Sequence, residues 1–155
     1  MNVRFAKEEE LDRVNELRRQ VNDLHAAGRP DLFRPEFSRE LRDFIRVIRD
    51  DPEKEILVAE QAGVICGYAV LHLVHRPESP SKLERNYLDV DEFGVDEAFR
   101  RQGVATAMID RIRAYARERG LHRIELNMWE FNRDALAFYE AVGFSTYRRY
   151  MELTL

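Results

Sequence analysis

One cysteine, Cys66, is present in 155 residues. That excludes an internal disulfide and puts a cysteine-based structural metal site out of reach. No apolar run approaches the ~20 residues that cross a bilayer, and the N-terminus "MNVRFAKEEELDRV" lacks the apolar core of an export signal. The expectation is therefore a cytoplasmic protein with no membrane partner. Glycine and proline are scarce, 7 and 5 residues, against 45% hydrophobic and 35% charged residues, which argues against disorder and for one folded domain over 1–155. The sequence has neither GxxxxGK[ST] nor GxGxxG, so the two commonest phosphate loops are absent. A net charge of -4 disfavours blanket nucleic-acid binding. His72 and His75 are three apart in a strand-like stretch and so face opposite sides, which leaves no paired metal site there; no metal is expected.

What is present reads as alternating strands and helices. "NVRFA" suits a short strand, and Leu11, Val14, Leu17, Val21 and Leu24 form one helical stripe from about Glu8 to Ala27. Gly28, Pro30 and Pro35 break it, and Ser38 can cap a second helix with Leu41, Phe44, Ile45 and Ile48. "KEILVAEQ" and "VICGYAVLHLVH" flank a two-residue Ala62-Gly63 turn, a hairpin pattern. A further strand, a helix stopped by Gly120, the strand "RIELNMW", a helix capped by Asn132 and a last strand "STYRRYMELTL" complete the order. The sum is a mixed α/β sheet covered by helices.

The stretch "LDVDEFGVDEAFRRQGVA", residues 88–105, breaks its own rhythm. Leu88 and Val90 share one parity, Phe93 and Val95 the other. Strand side chains alternate faces, so an extra residue near Asp91 and Glu92, a β-bulge, is needed to return both pairs to the core. A bulge frees backbone groups that an extended ligand can use. The stretch then runs into Arg100, Arg101, Gln102 and Gly103 before a helix opening with Val104, Ala105 and Thr106. Unpaired N–H groups of a first helical turn, two guanidinium groups and a glycine permitting close approach outline a pyrophosphate site.

"V-x4-R-R-Q-G-V-A", Val95 to Ala105, resembles the acetyl-CoA pyrophosphate loop of the GNAT N-acetyltransferase superfamily, matching at Arg100, Gly103 and Ala105. "NRDALAFYEAVGF" resembles the family's second hallmark, with Asn132, Ala135, Phe138, Tyr139, Glu140, Gly143 and Phe144. The resemblance implies a mixed, mostly antiparallel sheet with a splayed, bulged central strand and helices on both faces, with acetyl-CoA lying in the splay. It implies that backbone groups of Phe93 and Val95 hold the pantetheine arm and that residues 100–106 hold the diphosphate. Asn132 and Ala135 would meet the cofactor arm, and Phe138 and Tyr139 would flank its sulfur, Tyr139 acting as acid for the leaving thiolate. Glu92 is the first choice of base, with Asp89, Asp91 or a water as alternatives. His25, Phe33, Phe37 and Trp129 are candidates for the acceptor entrance, while Cys66 reads as core. The implied activity is acetyl transfer to a primary amine, on a small molecule or a peptide, by direct attack in a ternary complex. The alternative is a non-catalytic acyl-CoA-binding regulator, and either a monomer or a homodimer fits.

Overall fold

The computed structural model describes all 155 residues. Five strands, β1 (Asn2–Phe5), β2 (Lys54–Gln61), β3 (Val64–Arg76), β4 (Arg85–Val95) and β5 (Ile124–Leu126), form one sheet in the order β1-β2-β3-β4-β5. The first four are antiparallel to their neighbours, and β5 runs parallel to β4. The β2–β3 turn is the two-residue Ala62-Gly63 hairpin, with φ of 50° and 78°. Positive φ at both positions matches the right-handed twist of the flanking strands.

Helices α1 (Leu11–Gly28) and α2 (Arg39–Asp50) cover one face, α3 (Val104–Glu118) and α4 (Arg133–Ala141) the other. The alternation of side chains along the inner strands divides the core accordingly. Ile56, Val58, Tyr68 and Val70 pack with Val14, Leu17, Ile45 and Ile48. Leu57, Ala69, Leu88 and Val90 pack with Val104, Met108 and Ile112, and Cys66 is buried on that side. Local signals fix the helix ends: Ser38 Oγ accepts the Leu41 N–H at 3.2 Å, and Asn132 Oδ1 accepts the Ala135 N–H at 3.2 Å. Each satisfies a donor that the first helical turn leaves free.

Two expectations require correction. The strand foreseen over "RIELNMW" is confined to Ile124–Leu126. The final segment "STYRRYMELTL" is not part of the sheet: residues 145–155 are exposed and make no backbone–backbone hydrogen bond. Strand patterning supplies an apolar face, but a strand exists only where a second edge meets it.

Candidate active site

The parity slip is a bulge. Leu71 pairs with Val90 and Val70 with Glu92, so Asp91 has no opposite residue on β3. Leu88, Val90, Phe93 and Val95 thereby all face α3 and its core. Past the bulge β4 also loses its other neighbour, because β5 pairs only with Leu88, Asp89 and Val90. The edge of β4 from Asp91 to Val95 thus lacks a strand partner on that side, and α4 approaches β4 through Phe138 and Tyr139, which meet Phe93.

At its C-terminal end β4 leads to the turn before α3. Arg101 has φ of 60° and Gly103 of 82°. These left-handed residues turn the chain so that Gly103 supplies the helix cap, where no side chain accepts an N–H. No backbone carbonyl accepts the N–H groups of Arg101 to Thr106, which are thus available to an anion. Nothing lies within 4 Å of a Cβ built on Gly103, so its value there is its backbone freedom and its openness. Arg100 and Arg101 are exposed, and Gln102 is tethered by its amide to the Ala98 carbonyl at 3.1 Å.

Between β4 and α4 the contacts are aromatic. Phe93 stacks on Phe138 at a centroid separation of 6.4 Å, and Tyr139 is edge-on to Phe93, Phe138 and Phe144 at 6.1, 5.4 and 5.7 Å. Burial pushes the Tyr139 phenol up to about 12. It therefore keeps its proton at neutral pH, as a group that delivers one must. Asn132 spends its carbonyl on the α4 cap and leaves its amide N–H groups without a partner in the fold.

The bulge also puts three carboxylates on the α1/α2 face of β4. Asp91 meets Lys54 Nζ at 2.9 Å. Burial, together with a hydrogen bond shared with Asp91, pushes Asp89 up to about 7. Glu92 is held differently: Arg18 Nε and Nη2 donate to its two oxygens at 2.9 and 3.1 Å, and the Tyr68 hydroxyl donates to Oε2 at 3.0 Å. Arg18 itself is 6% exposed, anchored to Asn15 Oδ1 and the Leu41 carbonyl at 2.9 and 2.7 Å. Nearby, His25, Phe33, Trp129 and Phe131 form an aromatic wall, with His25–Phe33 and Phe33–Trp129 centroids 5.0 and 5.2 Å apart. Burial lowers the His25 pKa, partly offset by Glu92.

The sequence matches the Acetyltransferase (GNAT) family over residues 4–144. The chain belongs to this family.

Among its GNAT relatives, an uncharacterized N-acetyltransferase from Methanocaldococcus jannaschii is 36% identical over 61 residues, 39% of this chain and 27% of that one. A probable N-acetyltransferase family 8 member 5 from Mus musculus is 26% identical over 98 residues, 63% of this chain and 41% of that one. The chain thus spans less than half the length of either relative. A crystal structure of the tetramutant of BH1408 protein from Bacillus halodurans superimposes over 100% of both chains with a TM-score of 0.95 and 28% identity. An aminoglycoside N-acetyltransferase, AAC(6')-Iy, solved in complex with CoA, shares the fold with a TM-score of 0.73 over 99% of this chain and 98% of that one, at 17% identity.

In this GNAT chain Phe93, Phe138 and Tyr139 meet beside the bulge, Val95 packs on the α3 side of the core, Asn132 and Ala135 open α4, and residues 100–106 span the turn that opens α3. Phe37 stands apart from the aromatic wall, lying under the Arg18 and Arg42 guanidinium groups. No group of three or more His, Cys, Asp or Glu side chains is arranged to hold a metal ion, and no helix is long and apolar enough to cross a membrane. Sequence reasoning missed Arg18, Tyr68 and Phe131. Arg18 did leave a signal, since it sits in the apolar stripe of α1 between Val14 and Val21. Gly28 reads as a helix breaker but also gives Phe131 room: a Cβ there would lie 2.3 Å from the ring.

Proposed function

We propose that the protein is an acetyl-CoA-dependent N-acetyltransferase whose acceptor amine attacks the bound thioester directly. The observation that carries this reading is the unpartnered edge of β4 at the bulge, with a protonated Tyr139 at one end and a turn of free N–H groups at the other. Such an edge suits the amide-bearing pantetheine arm, and the turn suits a diphosphate. Acetyl-CoA would supply an activated acyl group. The backbone of Phe93 and Val95 would bind the arm and, at the bulge, donate to the carbonyl oxygen as charge develops on it, a contribution typically worth roughly 3–4 kcal/mol per donor. Residues Arg100, Arg101, Gln102, Gly103, Val104, Ala105 and Thr106 would hold the diphosphate, the Asn132 amide and the α4 face at Ala135 and Phe138 would line the arm, and the Tyr139 hydroxyl would protonate the leaving sulfur.

Glu92 is the carboxylate that we assign to the incoming amine. A carboxylate offers about four acceptor sites, and Arg18 and Tyr68 fill three of them, leaving one on Oε1. The triple anchorage fixes where that site points. Arg18 and Tyr68 hold Glu92 in place, so it orients the amine and receives its proton as the new C–N bond forms. Asp91 is paired with Lys54 and Asp89 is raised to about 7, so the acceptor, whether a small amine or a peptide amine, is recognised here through the open site on Glu92 Oε1 rather than by bulk negative charge.

Replacement of Tyr139 by Phe tests the assignment, with thiol release measured over a panel of amines and peptides. Turnover falls by ~10²-fold or more if the phenol is the acid, with acetyl-CoA affinity retained; a smaller fall refutes the role. A second reading, a non-catalytic acyl-CoA-binding protein, draws support from the engagement of Glu92 by Arg18 and Tyr68. It requires calorimetric binding of acetyl-CoA with no thiol release for any amine.

A further inference from the structure

Between the end of β4 and α3 the chain is held by few side chains. Of residues 96–103 only Asp96 is buried, at 9% exposure, with Phe99 half-buried. Asp96 opens a short helical turn, Glu97–Phe99, that leads into Arg100 and Arg101. One Asp96 carboxylate oxygen accepts the Ala98 N–H at 2.9 Å and caps that turn. The other accepts from Arg13 Nη2, while Arg13 Nε donates to the Ile65 carbonyl at 3.0 Å. The Asp96 N–H donates to the next carbonyl, that of Cys66, at 2.9 Å. A second side chain of α1 meets the same segment: Gln20 Oε1 accepts the Glu97 N–H at 3.1 Å. Residues 13 and 20 are two helical turns apart and so share one face of α1. Burial by itself would raise the Asp96 carboxyl; the donors from Ala98, Arg13 and Gln20 outweigh it and hold the group below the ordinary aspartate value. Asp96 is thus a buried anion, and Arg13 is its cation.

The anchorage continues into the turn itself. The Ala98 carbonyl accepts from Gln102 Nε2 at 3.1 Å, and Gln102 Oε1 accepts from Gln61 of β2 at 3.3 Å. A run of hydrogen bonds therefore joins Arg13 to Asp96, Asp96 to Ala98, and Ala98 to Gln102, the residue before the Gly103 cap of α3. We propose that Arg13 is the positioning residue of the diphosphate turn. Held at the Ile65 carbonyl, it fixes Asp96; Asp96 fixes the Glu97–Phe99 turn; and that turn sets the direction of the free N–H groups of Arg101 to Thr106 before a ligand arrives. The proposal rests on the acetyl-CoA reading and adds to it a side chain 83 positions before Asp96 that touches no part of the ligand. A turn ordered in advance loses little further conformational freedom on binding, which raises affinity without a new contact. The gain is confined to the part of the ligand that the turn holds.

The test compares two ligands on the full chain carrying Arg13→Met, a change that keeps the packing of the arginine stem. S-acetylpantetheine has the thioester and arm of acetyl-CoA but no diphosphate. Calorimetry gives an acetyl-CoA affinity about 10-fold weaker in the variant than in the parent, with the affinity for S-acetylpantetheine unchanged. Asp96→Asn weakens acetyl-CoA binding to a similar degree. The double variant is no weaker than either single one, since both changes break one path, and it carries the same comparison of ligands if the stranded Asp96 charge keeps Arg13→Met from folding. Equal losses for the two ligands mean that Arg13 serves the fold as a whole. No loss for acetyl-CoA, or additive losses in the double variant, mean that the turn is set without it. Each of these results overturns the proposal, whereas a parent that binds neither ligand overturns the acetyl-CoA reading beneath it and is recognised before any variant is made.

Discussion

Replacing Arg18 by Met tests how the carboxylate beside the bulge is held. Arg18 is 6% exposed and makes four hydrogen bonds, two of them to Glu92. Removing one member of a buried ion pair typically costs about 3–5 kcal/mol, because the remaining charge stays desolvated. Glu92 is 27% exposed and keeps its bond from Tyr68, which puts the pair at the low end, about 3 kcal/mol. Loss of the donor to the Leu41 carbonyl adds roughly 1 kcal/mol, and the Met side chain retains most of the apolar packing of the arginine stem. The sum is about 4 kcal/mol, or a fall in Tm of roughly 8–16 °C for a chain of this size. Urea denaturation followed by circular dichroism measures it. The double variant with Glu92→Gln removes the stranded charge and recovers at least ~1 kcal/mol of the loss. If Arg18→Met alone costs under about 1 kcal/mol, Glu92 is solvated rather than held and the placement of the amine loses its basis.

Two further substitutions probe the same strand. Asp89 has its pKa raised by burial and by Asp91, so its stabilising protonated form is fully present below the ordinary aspartate value and is lost as pH rises through about 7. Asp89→Asn removes that loss: thermal melts show a Tm advantage over the parent that grows from about pH 4 to about pH 7 and levels off above about pH 8, and a gain that is flat across this range refutes the burial argument. Gly94→Ala places a Cβ 2.8 Å from both Tyr68 Cε1 and Val21 Cγ2; overpacking there costs about 2 kcal/mol in chemical denaturation, and a neutral result means that α1 and β3 yield more easily than their packing suggests.

How much of this was legible beforehand follows from the range of each cause. The β2–β3 turn, the Ser38 and Asn132 caps and the bulge at Asp91 were legible because each is decided within a few residues: two successive positive φ values, one side-chain oxygen, one slip of parity. The turn before α3 was legible for the same reason, since its arginines, glycine and helix start are contiguous. The partners of Glu92 were not. Arg18 and Tyr68 lie 74 and 24 residues away in the chain, and an arginine in an apolar stripe says only that something must satisfy it. Burial raised Asp89 and Tyr139 through surroundings assembled from several elements.

The segment 145–155 draws the line most sharply. Its alternation of apolar residues and its charges are properties of the sequence alone, and they specify a surface able to pair. Whether it pairs depends on which edge comes within bonding distance, and tertiary structure decided that by holding it clear of β5, since a strand, unlike a helix, finds its hydrogen bonds outside itself.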